Sequence, residues 1–194
     1  MKKTRKNKIK KIFFSESDYS SGDGMLGSVW GPSMWHYLHT MSFNYPVLPT
    51  EEQKKKYRDF ILLLKHVLPC KYCRINLVKN FKQLPLTYES MESRATFSKY
   101  IYDLHEIVNT MLKKKSGLSY EDVRDRYEHF RARCLQDKPK IFNFVKTKKN
   151  KKEKGCTEPL YGKKSKSIIK IVPHDVDVET FQMDKKCKVS HDEK

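Results

Sequence analysis

The 194-residue sequence lacks an apolar run long enough to cross a bilayer, for which about 20 consecutive apolar residues are needed. Its first residues also lack the apolar centre of a secretory signal peptide. From these two absences we expect neither a transmembrane segment nor a signal peptide.

Hydrophobic residues are scarce overall, at 38% of the chain, and the shortage is concentrated at both ends. With 41 Lys and Arg against 23 Asp and Glu, the formal net charge is +18. We therefore predict a basic disordered N-terminal tail at residues 1–24, a folded domain at 25–134 and a Lys-rich, mostly disordered C-terminal tail at 135–194. The tails would bind nucleic acid only weakly, through non-specific electrostatics, and solubilising tails are the simpler interpretation.

Cysteine is present in an odd number, five, and without a signal peptide this count does not indicate a secreted disulfide framework. Cys70 and Cys73 form a Cys-x-x-Cys motif at a predicted turn-to-helix boundary. The unpaired backbone N–H groups and the helix dipole favour a thiolate there. The motif therefore predicts a redox pair first and half of a metal site second.

Hydrophobic periodicity predicts helices and no strands in the central domain. The first begins near Trp30-Gly31-Pro32 and ends near Phe43, and a capping box at Thr50 opens the second, which Pro69 ends. The remaining helices are expected from Cys70 to about Phe81, from about Ser93 to Lys115, and from Ser119 onward. The fold class is thus all-α: a four-helix bundle with a short fifth helix, flanked by basic tails.

Two pairs of residues four apart stand out within these helices. Trp35 and His39 share one face of the first helix, and His105 and Asn109 share one face of the fourth. Such side chains contact a ligand in some proteins and only pack in the core in others. Spacing alone leaves both interpretations open.

The ordered combination of motifs resembles the Erv/ALR family of FAD-linked sulfhydryl oxidases, most of all the versions encoded by large DNA viruses. The motifs are Trp30-Gly31-Pro32-Ser33-Met34-Trp35 with His39, then Tyr45-Pro46, then Cys70 and Cys73, then Leu104-His105 with Val108-Asn109. The resemblance covers about residues 26–134.

The resemblance implies an enzyme in which Cys70 and Cys73 are the catalytic pair. It passes electrons from dithiols of protein substrates through Cys70–Cys73 to FAD and then to O2, giving H2O2 and forming disulfide bonds in the substrate. It implies a homodimer, with thioredoxin-like relay proteins as partners. The residues that would bind FAD are Gly31, Trp35, His39, Tyr45, His105, Val108, Asn109, Lys114 and Tyr127. No metal is expected.

The sequence also departs from the family pattern. Many members of the family fasten the fifth helix with a structural disulfide. Cys134 lies near one end of that helix here, but the position that matches its partner is Tyr120, so we expect Cys134 to be free or paired with a tail cysteine. The tails lack the second Cys-x-x-Cys that several relatives use as an electron shuttle. Cys156 and Cys187 would replace this shuttle only if they paired with each other. If the source is viral, the host cytoplasm or the virion is the expected location, with the mitochondrial intermembrane space as the alternative.

The alternative function is a zinc-stabilised basic helical binding module without redox activity. Its ligands would be Cys70, Cys73, His129 and Cys134. A basic helical adaptor for nucleic acid, with a merely structural cysteine pair, is a further alternative.

Overall fold

The computed structural model describes residues 15–132, 156, 159–160, 163–178 and 182–187, and regular structure within these residues is helical. Predictions for residues 1–14 and for Cys134 lie outside them. The α-helices are α1 (Glu16–Tyr19), α2 (Gly27–Phe43), α3 (Glu51–Val67), α4 (Lys71–Gln83), α5 (Arg94–Met111) and α6 (Tyr120–Glu128). None of the described helices is long and apolar enough to cross a membrane.

Side-chain caps explain where most of these helices begin. Thr50, Ser93 and Ser119 each accept a hydrogen bond from the third helical N–H and complete a capping box. The helix α2 is different, because it begins at Gly27 without a side-chain cap and keeps Pro32 inside it. Its start therefore lies three residues before the predicted one.

The helices pack as a bundle in which α2 lies against α5 and α3 against α4, while α6 crosses both α2 and α5. The predicted four-helix bundle with a short fifth helix is confirmed. Its core consists of buried apolar side chains from all four long helices, the loop after α2 and the loop before α5. They include Leu38, Tyr45, Ile61, Leu64, Leu77, Leu86, Met91, Phe97, Tyr100, Ile101 and Leu104.

Residues 15–24 differ from the expected disordered tail. Ser15 caps the single turn of α1, and Gly24 forms an antiparallel bridge with Cys70. A pattern rich in Ser, Gly and Asp predicts disorder because it offers no apolar face. The observed order comes from backbone pairing with a distant segment, which needs no apolar side chain.

The helix α6 is fastened to α5 through Tyr120, the position where the family pattern led us to look for a cysteine. The hydroxyl groups of Tyr120 and Ser98 are 2.7 Å apart, and Ser98 is buried and donates to the Arg94 carbonyl at 2.7 Å. The Tyr120 ring stacks on Phe43 of α2, with centroids 6.1 Å apart. A hydrogen bond and ring packing therefore join α6 to the bundle without a covalent link through this position.

We predict that Tyr120→Phe lowers the free energy of unfolding by about 1 kcal/mol, because it removes one partly buried hydrogen bond. Tyr120→Ala also removes the ring packing and would cost about 3 kcal/mol. Urea titration followed by circular dichroism measures both values. Tyr19→Phe, at a ring that is 86% exposed, is the control. A Tyr120→Ala protein as stable as the wild type would contradict this role.

Candidate active site

The interruption of the helix at Pro69 places Cys70 at the start of α4. Cys70 is the N-cap residue, with extended backbone angles (φ −153°, ψ 121°), and its Sγ accepts a hydrogen bond from the Cys73 N–H at 3.2 Å. The two cysteines form a disulfide with their Cα atoms 5.1 Å apart. The pair thus lies at the positive end of the helix dipole, where a thiolate released by reduction is stabilised.

The start of α2 lies against this disulfide. A Cβ atom at Gly27, the first residue of α2, would lie 3.9 Å from the Cys73 Sγ. Both cysteines are half-buried, whereas Lys71 and Tyr72 between them are exposed. Small reactants therefore reach the pair from solvent, while the α2 side of Cys73 is covered.

The predicted pairs on α2 and α5 meet through His105. The rings of Trp35 and His105 are stacked, with centroids 4.0 Å apart and planes 7° apart. His39 Nε2 lies 3.0 Å from His105 Nδ1, which is a hydrogen-bond distance. We call Trp35, His39 and His105 the ring cluster. The ring cluster forms a contact between α2 and α5.

The predicted Tyr127 of α6 extends this cluster. Its ring stacks on His39 with centroids 5.2 Å apart, and its hydroxyl lies 3.2 Å from His36 Nδ1. It also stacks on Phe43, with centroids 5.5 Å apart and planes 10° apart. Sequence reasoning missed His36 and Phe43 as members, although Phe43 lies four residues after His39 and so on the same face.

The other predicted cofactor residues are distributed around α2 and α5. Val108 and Asn109 are half-buried one turn beyond His105, and Asn109 Nδ2 donates to Glu106 Oε1 at 2.8 Å. Lys114 follows α5, and its charge acts on His105. An added Cβ at Gly31 would meet nothing within 4 Å, so the α2 surface is open there.

Tyr45 lies in the bundle core and has no ring contact or hydrogen bond to the ring cluster. Its side chain is fully buried in the bundle core, where its ring packs on Tyr57 and Phe97. Its hydroxyl donates to the Met91 carbonyl at 2.9 Å. In this structure Tyr45 therefore supports the loop before α5.

The remaining cysteines do not form the shuttle considered above. Cys187 is free, whereas Cys156 is disulfide-bonded, so these two are not paired with each other. The disulfide between Cys70 and Cys73 leaves neither sulfur as a thiolate ligand, which removes half of the zinc site of the alternative function.

Burial controls the protonation of the ring cluster. Desolvation lowers the pKa of His39 to about 3, with further lowering by the nearby His105 and His36. Desolvation also lowers the pKa of His105 to about 4, where Glu106 opposes the shift and Lys114 adds to it. Both imidazoles are consequently neutral at pH 7. One nitrogen, His39 Nδ1, is buried and has no hydrogen-bond partner among the described residues.

Comparison with known proteins assigns this sequence to a family. The model of the "Erv1 / Alr family" matches residues 32–128, which include the Cys-x-x-Cys motif and the whole ring cluster. The chain belongs to the Erv1/Alr family. The predicted family is confirmed.

Individual relatives of the chain carry consistent names. A "Probable FAD-linked sulfhydryl oxidase" of Acanthamoeba polyphaga mimivirus is 37% identical over 99 residues, covering 51% of this chain and 68% of the relative. The "Mitochondrial FAD-linked sulfhydryl oxidase ERV1" of Saccharomyces cerevisiae is 30% identical over 84 residues. That match spans 43% of this chain and 43% of the yeast protein, less than half of either length.

Solved structures of the family were also matched. The crystal structure of the yeast Erv1 core has a TM-score of 0.48 to this chain at 26% sequence identity. The match covers 54% of this chain and 86% of the yeast core.

We predict that the protein loses stability as the pH falls from about 6.5 toward 4. The pKa of His39 and of His105 is lower in the folded chain than the ordinary value of 6.5. The unfolded chain therefore binds more protons in this interval, so acid favours unfolding, by up to about 1.4 kcal/mol per pH unit for each histidine.

Urea titrations between pH 4 and 8 test this dependence. His105→Asn should flatten the slope between pH 4 and 6.5, since one of the histidines with a lowered pKa is gone, while His36 and His39 remain. His66→Asn, at an exposed position near the end of α3, is the control and should leave the slope unchanged. An equal slope in all three proteins would contradict the assignment.

Proposed function

We propose that this protein is an FAD-linked sulfhydryl oxidase that forms disulfide bonds in protein substrates. Dithiols are its reductant, O2 is its final electron acceptor and H2O2 is its second product. The observation that carries the proposal is the Cys70–Cys73 disulfide at the start of α4, in a chain whose family match spans both the disulfide and the ring cluster.

The exchange chemistry follows from the cysteine pair. A substrate thiolate attacks Cys70 Sγ, a mixed disulfide forms, and Cys73 leaves as a thiolate. The second substrate thiolate then attacks the substrate sulfur of that mixed disulfide and releases Cys70 as a thiolate. The substrate has lost two electrons and gained a disulfide, and Cys70 and Cys73 have become a dithiol. The Cys73 N–H, 3.2 Å from Cys70 Sγ, stabilises the charge on that sulfur.

The residues of the ring cluster suit a flavin cofactor. A flavin is a flat aromatic system with polar edges, and pockets for it combine aromatic walls with a few placed polar groups. The parallel Trp35 and His105 rings offer such a wall, and the buried His39 Nδ1 still needs a polar partner. The open surface at Gly31 leaves room beside them. When bound, FAD would supply a two-electron acceptor that O2 reoxidises.

Each residue has a proposed role toward FAD. Trp35, His39, His105 and Tyr127 would hold its rings, and Val108 and Asn109 would contact it from the next turn of α5. The charge of Lys114 would offset that of the pyrophosphate. We assign Tyr45 an indirect role, because its buried side chain would act through the loop that it supports.

We predict that Cys73→Ser abolishes oxygen consumption with a dithiol such as dithiothreitol, because no disulfide remains to accept the electrons. The measurement uses an oxygen electrode with the yellow, flavin-containing protein. Cys187→Ser, which removes the free cysteine, is the control and should keep the wild-type rate. Wild-type turnover by Cys73→Ser would refute the proposed function.

We also propose that the protein is a homodimer and that the exposed face shared by α2 and α3 is its interface. An apolar cavity of about 430 Å³ lies there, lined mainly by Trp30, Met34, Tyr37, Leu64 and Val67. A second, of about 230 Å³, is lined by Tyr37, Met41, Lys56, Tyr57 and Phe60. Tyr37 and Val67 remain more than half exposed in the single chain. Contiguous exposed apolar surface of this kind is typical of an interaction site, and a second copy would cover it.

We predict that Tyr37→Glu converts the dimer to a monomer, because Tyr37 lines both cavities and a carboxylate would be desolvated in the interface. Size-exclusion chromatography with light scattering gives the mass of each species. Val78→Glu places the same charge on an exposed part of α4, outside both cavities, and should leave the mass unchanged. A dimeric Tyr37→Glu protein would exclude this face.

The dithiol partners proposed for the enzyme are proteins, and thioredoxin-like relay proteins suit the exchange chemistry because they also carry a Cys-x-x-Cys pair. The host cytoplasm or the virion is the proposed location. The mimivirus relative supports a viral-type enzyme.

A further inference from the structure

The segment Asp23–Met25 lies against the backbone of the redox motif, and we call it the strap. The Met25 N–H donates to the Pro69 carbonyl at 2.6 Å, and the Lys71 N–H donates to the Asp23 carbonyl at 2.9 Å. Between these two bonds Gly24 faces Cys70 in an antiparallel bridge. The strap is therefore hydrogen-bonded to the backbone on both sides of Cys70.

Glycine at position 24 is required for this approach. Its φ is +97°, a region that residues with a side chain rarely adopt. An added Cβ would also lie 2.5 Å from the Pro69 carbonyl oxygen and 2.9 Å from the Cys70 Cα. These contacts are with backbone atoms, which cannot move aside as a flexible side chain would. Gly24 is thus the residue that allows the strap to reach Cys70.

The strap accepts the hydrogen bond of a backbone N–H, that of Lys71, which could otherwise stabilise a cysteine thiolate. The Lys71 N–H belongs to the first turn of α4, where backbone N–H groups lack helical partners and would otherwise stabilise a nearby anion. Because it donates to Asp23, it does not donate to a cysteine thiolate. The Asp23 carboxylate also lies 3.9 Å from Lys71 Nζ and partly offsets that positive charge.

The strap also restricts the backbone of Cys70. The extended N-cap conformation directs the Cys70 side chain toward Cys73. When the disulfide is reduced, a held backbone gains less conformational freedom than a loose one. This restriction and the occupied N–H both favour the disulfide over the dithiol.

We propose that Gly24 is a positioning residue for the redox pair, and that through it the strap makes the Cys70–Cys73 disulfide harder to reduce. This inference rests on the proposed function, in which that pair exchanges electrons with substrate. The strap precedes residues 32–128, so it lies outside the segment that matches the family model.

The test measures the equilibrium between the Cys70–Cys73 disulfide and its dithiol in the full-length, flavin-containing protein. Samples are equilibrated without oxygen in dithiothreitol buffers of known ratio, alkylated, and analysed by mass spectrometry of the peptide that carries both cysteines. Gly24→Ala should shift the equilibrium about tenfold toward the dithiol, which is about 30 mV for this two-electron couple.

Matched controls separate the strap from general effects. Gly22→Ala adds the same methyl group two residues earlier, where an added Cβ meets nothing within 4 Å, and should behave as wild type. Met25→Pro removes the N–H that bonds to Pro69 and should shift the equilibrium in the same direction as Gly24→Ala. Leu26→Pro, at a residue whose φ of −58° suits proline, should not.

Circular dichroism establishes that each variant keeps the helical bundle. Folded Gly24→Ala and Met25→Pro proteins with wild-type equilibria would overturn the inference. A shift in Met25→Pro alone, with Gly24→Ala unfolded, would support it. Oxygen consumption by the wild type with a dithiol is measured in parallel. If the wild type consumes none, the proposed function fails, whereas unchanged equilibria with normal oxygen consumption refute only the role of the strap.

Discussion

The structure depends on one junction, where α3 ends and α4 begins at Cys70. Pro69 cannot donate a backbone hydrogen bond and separates the two helices, and Cys70 then caps the new one with its own sulfur. The same atom is therefore a cap, half of a disulfide and the electrophile for a substrate thiolate. The start of α2 lies against Cys73. The packing of α2 thus decides what lies beside the redox pair.

The packing of α2 against α5 is in turn maintained by unusually polar residues for a helix contact. His39 and His105 are hydrogen-bonded to each other, and Trp35 covers His105. This contact is stable only while both imidazoles are neutral, since a buried charge without a partner is costly. Desolvation provides that condition by lowering both pKa values below 5. His39 Nδ1, which has no hydrogen-bond partner within the described part of the chain, lowers the stability of the fold but leaves a polar group that a ligand can bind.

Local sequence signals predicted much of this fold. The capping box at Thr50, the break at Pro69 and the spacing of His105 each act within a few residues, so each could be recognised without the structure. Contacts between distant segments could not. The family resemblance predicts that Tyr45 binds FAD together with residues of the first helix. The chain turns after Phe43, however, and the Tyr45 side chain is buried in the core. The pairing of Gly24 with Cys70 uses only backbone atoms, so no side-chain pattern encodes it.

The helix α6 and the strap are attached to the bundle by contacts outside its apolar core. Tyr120 joins α6 to α5 by a hydrogen bond and ring packing, and Asp23–Met25 joins the N-terminal segment to α4 by backbone bonds. Both attachments are at the edge of the bundle and neither contributes to its apolar core. The strap nevertheless contacts Cys70 directly, whereas the core reaches Cys70 only through α3 and α4. The electron affinity of the disulfide is therefore a property that a segment outside the family-matching residues can change without altering the fold.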